Sequence, residues 1–130
     1  MPEEEEKADP NFLYQMRKNL TKKERLGKRS DLKRAFSEGK HISSRGAKLI
    51  FVSNGLAFNR FAVALVRKYG NSVERNKSKR ILREIYRESK DSIFPGYDIV
   101  VVLYPGNYTY TERKKQYYSL MKRGDLVKVS

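Results

Sequence analysis

The residues able to do chemistry are cationic and amide side chains crowded into Arg67–Lys90 (RKYGNSVERNKSKRILREIYRESK), where nine Lys/Arg against three Glu leave a formal +6. At that density guanidinium and ammonium groups neutralise and hydrogen-bond anions, phosphates above all. If the chain is helical from Val73, each residue turns about 100° around the axis. Arg75, Lys79, Lys90, Arg83, Asn76, Arg87 and Arg80 then share an arc of roughly 140°. Ile81, Ile85, Ser78, Ser89, Leu82 and Tyr86 take the opposing arc, so one side is apolar and the other cationic. Lys68-Tyr69-Gly70-Asn71-Ser72 supplies a turn before the helix, and either Ser72 or Asn71 can cap it. The helix N-terminus, with Arg67, Lys68 and Arg75 beside it, suits the phosphates of a polyanion. A solvated charged face is the plain alternative. The one-sidedness of the charge favours nucleic acid.

Other chemistries find no support. The sequence has no Cys and a single His, which argues against protein-ligated zinc, thiol chemistry and disulfides. No Gly-rich loop precedes a Lys-Ser/Thr pair, and no acidic cluster resembles a two-metal site. Glu84 and Glu88 share a helix face at the border of the basic stripe, which suits ion pairing with it. His41 falls in a polar stretch with no evident partner as a base, which suits an exposed or phosphate-contacting role. The chain by itself shows no means of catalysis, and no protein or metal ligand set is implied.

At 130 residues the chain makes one domain with a modest core, and 38% hydrophobic content with nine Tyr and six Phe argues that it folds. The formal charge of +14 attracts nucleic acid or anionic membrane. Apolar anchors for a membrane surface are not evident, no run is long enough to span a bilayer, and nothing resembles a signal peptide. The expectation is a cytoplasmic protein with no membrane partner and no obligate protein partner.

Along the chain, residues 1–15 carry Glu3–Glu6 and Asp9 between Pro2 and Pro10 and read as an acidic, disordered tail. Residues 16–124 read as one RNA-binding domain and 125–130 as a C-terminal tail. Arg17–Lys40 has ten Lys/Arg against three acids. Within it Ser30 can cap a short helix, with Asp31 at its positive end, Leu32 and Phe36 on one face and Gly39 as the stop. Lys48–Ser53 (KLIFVS) and Arg60–Val66 (RFAVALV), joined across Asn54-Gly55, read as an antiparallel hairpin. Tyr97–Tyr104 (YDIVVVLY) is a buried strand, and Thr109-Tyr110-Thr111-Glu112 is a capping box opening a helix to about Arg123. The expected fold is α+β, a two-layer sandwich in the order α-β-β-α-β-α.

The run from Arg67 to Glu84 resembles the signature of the bacterial ribonuclease P protein subunit: a basic pair, Gly-Asn-Ala/Ser-Val, then Arg-Asn-Arg and Lys-Arg. Arg25-Leu26 through Phe36, Pro95 through Val101 and Thr109–Glu112 extend the likeness over roughly Leu20–Arg123. The resemblance implies a small mixed sheet whose strand–helix–strand unit crosses over left-handedly, against the usual rule. It implies partnership with a catalytic RNA that, with Mg²⁺, cleaves precursor tRNA to the mature 5′ end. The catalytic centre is then in the RNA, and no residue of this chain is catalytic.

By that resemblance Arg67, Lys68, Asn71, Arg75, Asn76, Lys77, Lys79, Arg80 and Arg83 bind the RNA subunit. The single-stranded 5′ leader of the precursor lies in a cleft between the first helix and the sheet. Phe36 matches an aromatic cleft position, Leu32 stands where Phe is usual, and Phe51 is the strand candidate with Ile50 competing. Lys77 replaces the third motif arginine, keeping charge but losing bidentate geometry. A ribosomal-type structural RNA-binding protein is the rival reading, and a DNA-compacting protein a third.

Overall fold

The computed structural model describes residues 21–128. The acidic stretch read over residues 1–15 lies outside the described residues. Helix α1 (Arg29–Glu38) is followed by strands β1 (Lys40–Ser44), β2 (Ala47–Ser53) and β3 (Arg60–Leu65). Helix α2 (Ser72–Ser89), strand β4 (Tyr97–Leu103) and helix α3 (Tyr110–Arg123) complete the fold, with short 3₁₀ turns at Lys22–Glu24 and Lys90–Ser92. Architecture and helices agree with the α+β expectation, with one strand more than expected. That strand, β1 (KHISS), is a polar sheet edge and so lacks an apolar pattern to betray it.

The sheet order is β1-β2-β4-β3, with β4 antiparallel to β2 and parallel to β3. The expected hairpin of β2 with β3 is therefore corrected. β4 lies between them, and β2 makes its hairpin with β1. The reason is visible in β4 itself: Asp98 through Leu103 are all buried, and a strand apolar on both faces belongs at the centre of a sheet.

Alternation divides the strands between two cores. Leu49, Phe51, Phe61, Ile99, Val101 and Leu103 face α2 and α3, packing on Leu82, Ile85, Tyr86, Tyr117, Leu120 and Met121. Phe61 and Tyr86 stack with ring centroids 4.1 Å apart. The two long helices and the sheet form the expected two layers. On the other face Ile50, Val100 and Val102 meet Leu26, Leu32 and Ala35, so the shorter α1 partly covers that side. Gly39 ends α1 at close quarters, where a Cβ would come 2.4 Å from the Ala35 carbonyl and 2.9 Å from that of Phe51.

Two expectations about chain ends are corrected. α1 starts at Arg29 with Lys28 before it and no side-chain cap, so Ser30 lies inside the helix and is not its cap, while Asp31 stands in the first turn as expected and reaches Arg60 (3.1 Å). After α3 the chain does not leave the domain as a tail: Leu126 is buried and Val127 bridges Ile93.

Candidate nucleic-acid interface

α2 is built as its sequence dictates. Asn71 Oδ1 accepts the Glu74 backbone N–H (2.9 Å), and the Glu74 carboxylate accepts the Asn71 N–H (3.1 Å), closing a capping box. Gly70 allows this with φ +155°, since a Cβ there would sit 2.6 Å from the Glu74 carboxylate. Leu82, Ile85 and Tyr86 bury the apolar side, each contributing about 1.5–3 kcal/mol by removal from water. The opposite side is left to solvent.

On that side Arg67, Lys68, Asn76, Lys77, Arg80 and Arg83 are exposed, while Arg75 and Lys79 are half-buried. Among the described residues none of the seven cations in this set has a carboxylate within 4.0 Å. Arg75 Nη1 donates to the Val66 carbonyl (3.3 Å), which ties the helix to the end of β3. Acids on the helix border are spent on the neighbours, Glu84 with Arg87 and Glu88 with Lys114. The part of the Asn71 side chain that caps the helix is not available to a ligand, so its amide nitrogen is the group left for one.

A groove of about 800 Å³ joins two sets of residues that lie far apart in sequence. Leu32 and Phe36 of α1 form one wall, Ala62 and Ala64 of β3 the floor, and Arg80, Arg83 and Arg87 of α2 the other wall, with Arg25 at the rim. Phe36 is 43% exposed, an aromatic ring presented to the groove. The small side chains at Ala62 and Ala64 keep the floor low. His41 is exposed and its Nε2 donates to the Phe36 carbonyl (3.0 Å), placing the imidazole at the end of α1.

The strand candidates from sequence are elsewhere. Phe51 lies on the opposite face of the sheet, in the core under α3 and edge-on to Tyr97, and is corrected as a groove residue. Ile50 has the right face but is fully buried beneath α1. β3, not β2, supplies the floor. Lys77 and Lys79 do not line the groove, nor do Arg67, Lys68, Asn71, Arg75 and Asn76.

Two arginines that sequence reading passed over hold this arrangement. Arg60 grips the fully buried Asp98 with two hydrogen bonds of 2.8 Å and reaches Asp31 at 3.1 Å, so it ties α1 to the sheet. Its guanidinium is held above its ordinary value, first by the hydrogen bond to Asp98. Arg113 is buried and, among the described residues, has no carboxylate within 4.0 Å. It donates to the carbonyls of Gly46 (2.8 Å) and Tyr104 (3.0 Å), to Gln116 (2.9 Å) and to the Tyr69 hydroxyl (2.9 Å). Tyr69 also bonds Ser78 (2.7 Å), so this knot fixes the loop before α2 against the helix itself.

Fold and groove define a small basic α+β protein that sets a helix with a solvent-facing cationic side beside an apolar, aromatic-bearing cleft. The family model for ribonuclease P matches residues 20–125. A ribonuclease P protein component of Thermotoga petrophila is 40% identical over 87 residues, covering 67% of this chain and 74% of that relative. One from Petrotoga mobilis is 44% identical over 82 residues, 62% of this chain and 69% of its own. The solved RNase P protein of Thermotoga maritima matches with a TM-score of 0.70 at 33% identity, covering 77% of this chain and 96% of that one. That of Staphylococcus aureus matches at 0.73 and 25% identity, covering 85% and 97%. The chain belongs to the ribonuclease P protein family.

Proposed function

We propose that this chain is the protein cofactor of ribonuclease P, binding the catalytic RNA and the 5′ leader of precursor tRNA to promote endonucleolytic removal of the leader. What supports the reading is the groove in which Phe36 and Leu32 face Arg80 and Arg83. Phosphates crowded in a folded RNA meet Arg67, Lys68, Arg75, Lys77, Lys79, Arg80 and Arg83, and Asn71 and Asn76 add oriented hydrogen bonds. A single strand in the groove stacks on Phe36 and rests on Leu32, contacts that any base satisfies, so leaders of differing sequence are accepted. The chain supplies binding and orientation, and the bond is cut at the RNA. In this proposal Mg²⁺ is bound mainly by the RNA. No described helix is long and apolar enough to cross a membrane, and the proposed site of action is the cytoplasm.

The test adds the chain to catalytic RNA and precursor tRNA at low Mg²⁺. Cleavage rises, and leader-bearing substrate gains affinity over mature tRNA. Equal stimulation by an unrelated basic peptide defeats the proposal.

A further inference from the structure

α3 carries a second cationic face that the groove does not use. Its buried side is Arg113, Tyr117, Leu120 and Met121. Its outer side forms a shallow depression of about 700 Å³ that includes Lys114, Lys115, Tyr118, Ser119, Lys122 and Arg123. Lys115, Ser119, Lys122 and Arg123 are exposed. Acid compensation is slight. Lys114 lies 4.0 Å from Glu88, Lys115 feels the charge of Glu112, whose carboxylate is also held in the capping box of its own helix, and Lys122 has no ion pair among the described residues. The Tyr118 ring, half-buried and edge-on to Tyr117, lies among the lysines.

Position makes this a separate surface. α3 packs over β1 and β2, whereas the groove opens at β3, the other end of the β1-β2-β4-β3 order. Two to three inter-strand spacings of about 4.8 Å put roughly 10–15 Å of sheet between the two. An aromatic ring among several cations that outnumber their acidic neighbours is the arrangement that takes single-stranded nucleic acid, by base stacking and phosphate neutralisation. A membrane would require large apolar anchors here; among the described residues the exposed Phe36, Leu56, Val73 and Phe94 lie off this helix, and Tyr110, exposed at its first turn, ends in a hydroxyl that donates to Glu88 (3.0 Å).

We infer that the outer face of α3 is a second RNA-binding surface, taking a single-stranded stretch of the catalytic RNA on Tyr118, Lys115 and Lys122. The inference rests on the function proposed above. The test places a photo-crosslinking residue in place of Ser119 or, in a parallel protein, in place of Asn76 on the α2 face. Each is irradiated with catalytic RNA alone, then with precursor tRNA added. The expected result is crosslinking to catalytic RNA from both positions without precursor. Crosslinking from 76 but not 119 overturns this inference and leaves the proposed function standing, and failure at both overturns both. Crosslinking from 119 only when precursor is present, or only to protein, also overturns it. In parallel, Lys115→Ala/Lys122→Ala is expected to flatten log K against log salt by roughly 1.4–1.8 for RNA binding. A charge-matched Lys22→Ala/Lys128→Ala control sets the effect of net charge, and a change no larger than this control overturns the inference.

Discussion

Phe36→Ala separates a ligand surface from a packing residue. The ring is 43% exposed, so a little over half of it is covered by protein. Burying a whole Phe contributes about 1.5–3 kcal/mol, which puts the expected loss of stability at roughly 1–1.7 kcal/mol. A urea melt measures that directly, and such a loss leaves a domain of this size folded at 25 °C. Stacking of one base on an aromatic ring is worth about 1–3 kcal/mol, equivalent to roughly 5- to 150-fold in affinity. The assay compares dissociation constants of the protein–RNA complex for precursor and mature tRNA. Precursor affinity falls by a factor in that range while mature tRNA affinity is unchanged, and Phe36→Tyr restores most of the difference. Equal weakening of both substrates assigns Phe36 to the core and refutes the groove as the leader site.

Arg80→Ala/Arg83→Ala removes two uncompensated cations from the groove wall, so the slope of log K against log salt for RNA binding falls by roughly 1.4–1.8. Between 50 and 200 mM salt the variant then loses about tenfold less affinity than the parent, and an unchanged slope contradicts a phosphate role. Arg60→Met strands the buried Asp98 and costs about 3–5 kcal/mol in urea unfolding, with a loss below about 1 kcal/mol counting against the network. The hydrogen bonds from the Thr109 backbone and side chain hold the Glu112 carboxyl below its ordinary value of 4.5. Its stabilising contribution is therefore present above that value and is lost as pH falls through the lower folded value. Glu112→Gln makes acid unfolding shallower in that window, and an identical acid profile rules the cap out as a source of the pH dependence.

What the sequence made legible follows the range over which each interaction acts. Asn71 with Glu74 and Thr109 with Glu112 are three residues apart, so both caps could be read directly. The Ile81–Leu82–Ile85–Tyr86 side of α2 follows from periodicity within one helix. The β2–β3 pairing could not be read, because the insertion of β4 depends on residues some forty positions downstream. The side on which Phe51 points was undetermined until it was known which face α1 covers, since one residue of register exchanges the two faces. Arg60, 38 positions from Asp98 and 29 from Asp31, looked like one more surface cation. Arg113 looked the same in a basic helix. Its burial depends on Gly46, Tyr104 and Tyr69, which three separate segments bring together. The groove floor escaped notice because Ala62 and Ala64 matter there by being small.

The central claim is that the catalytic RNA is gripped by the cationic side of α2 and the loop before it. Lysine acylation footprinting, read by mass spectrometry with catalytic RNA alone at saturating concentration, tests this with the whole chain. Lys68 and Lys79 are expected to lose reactivity several-fold relative to Lys128 and to regain it when high salt releases the RNA. Full reactivity of both lysines while the RNA stays bound would place the grip elsewhere on the protein.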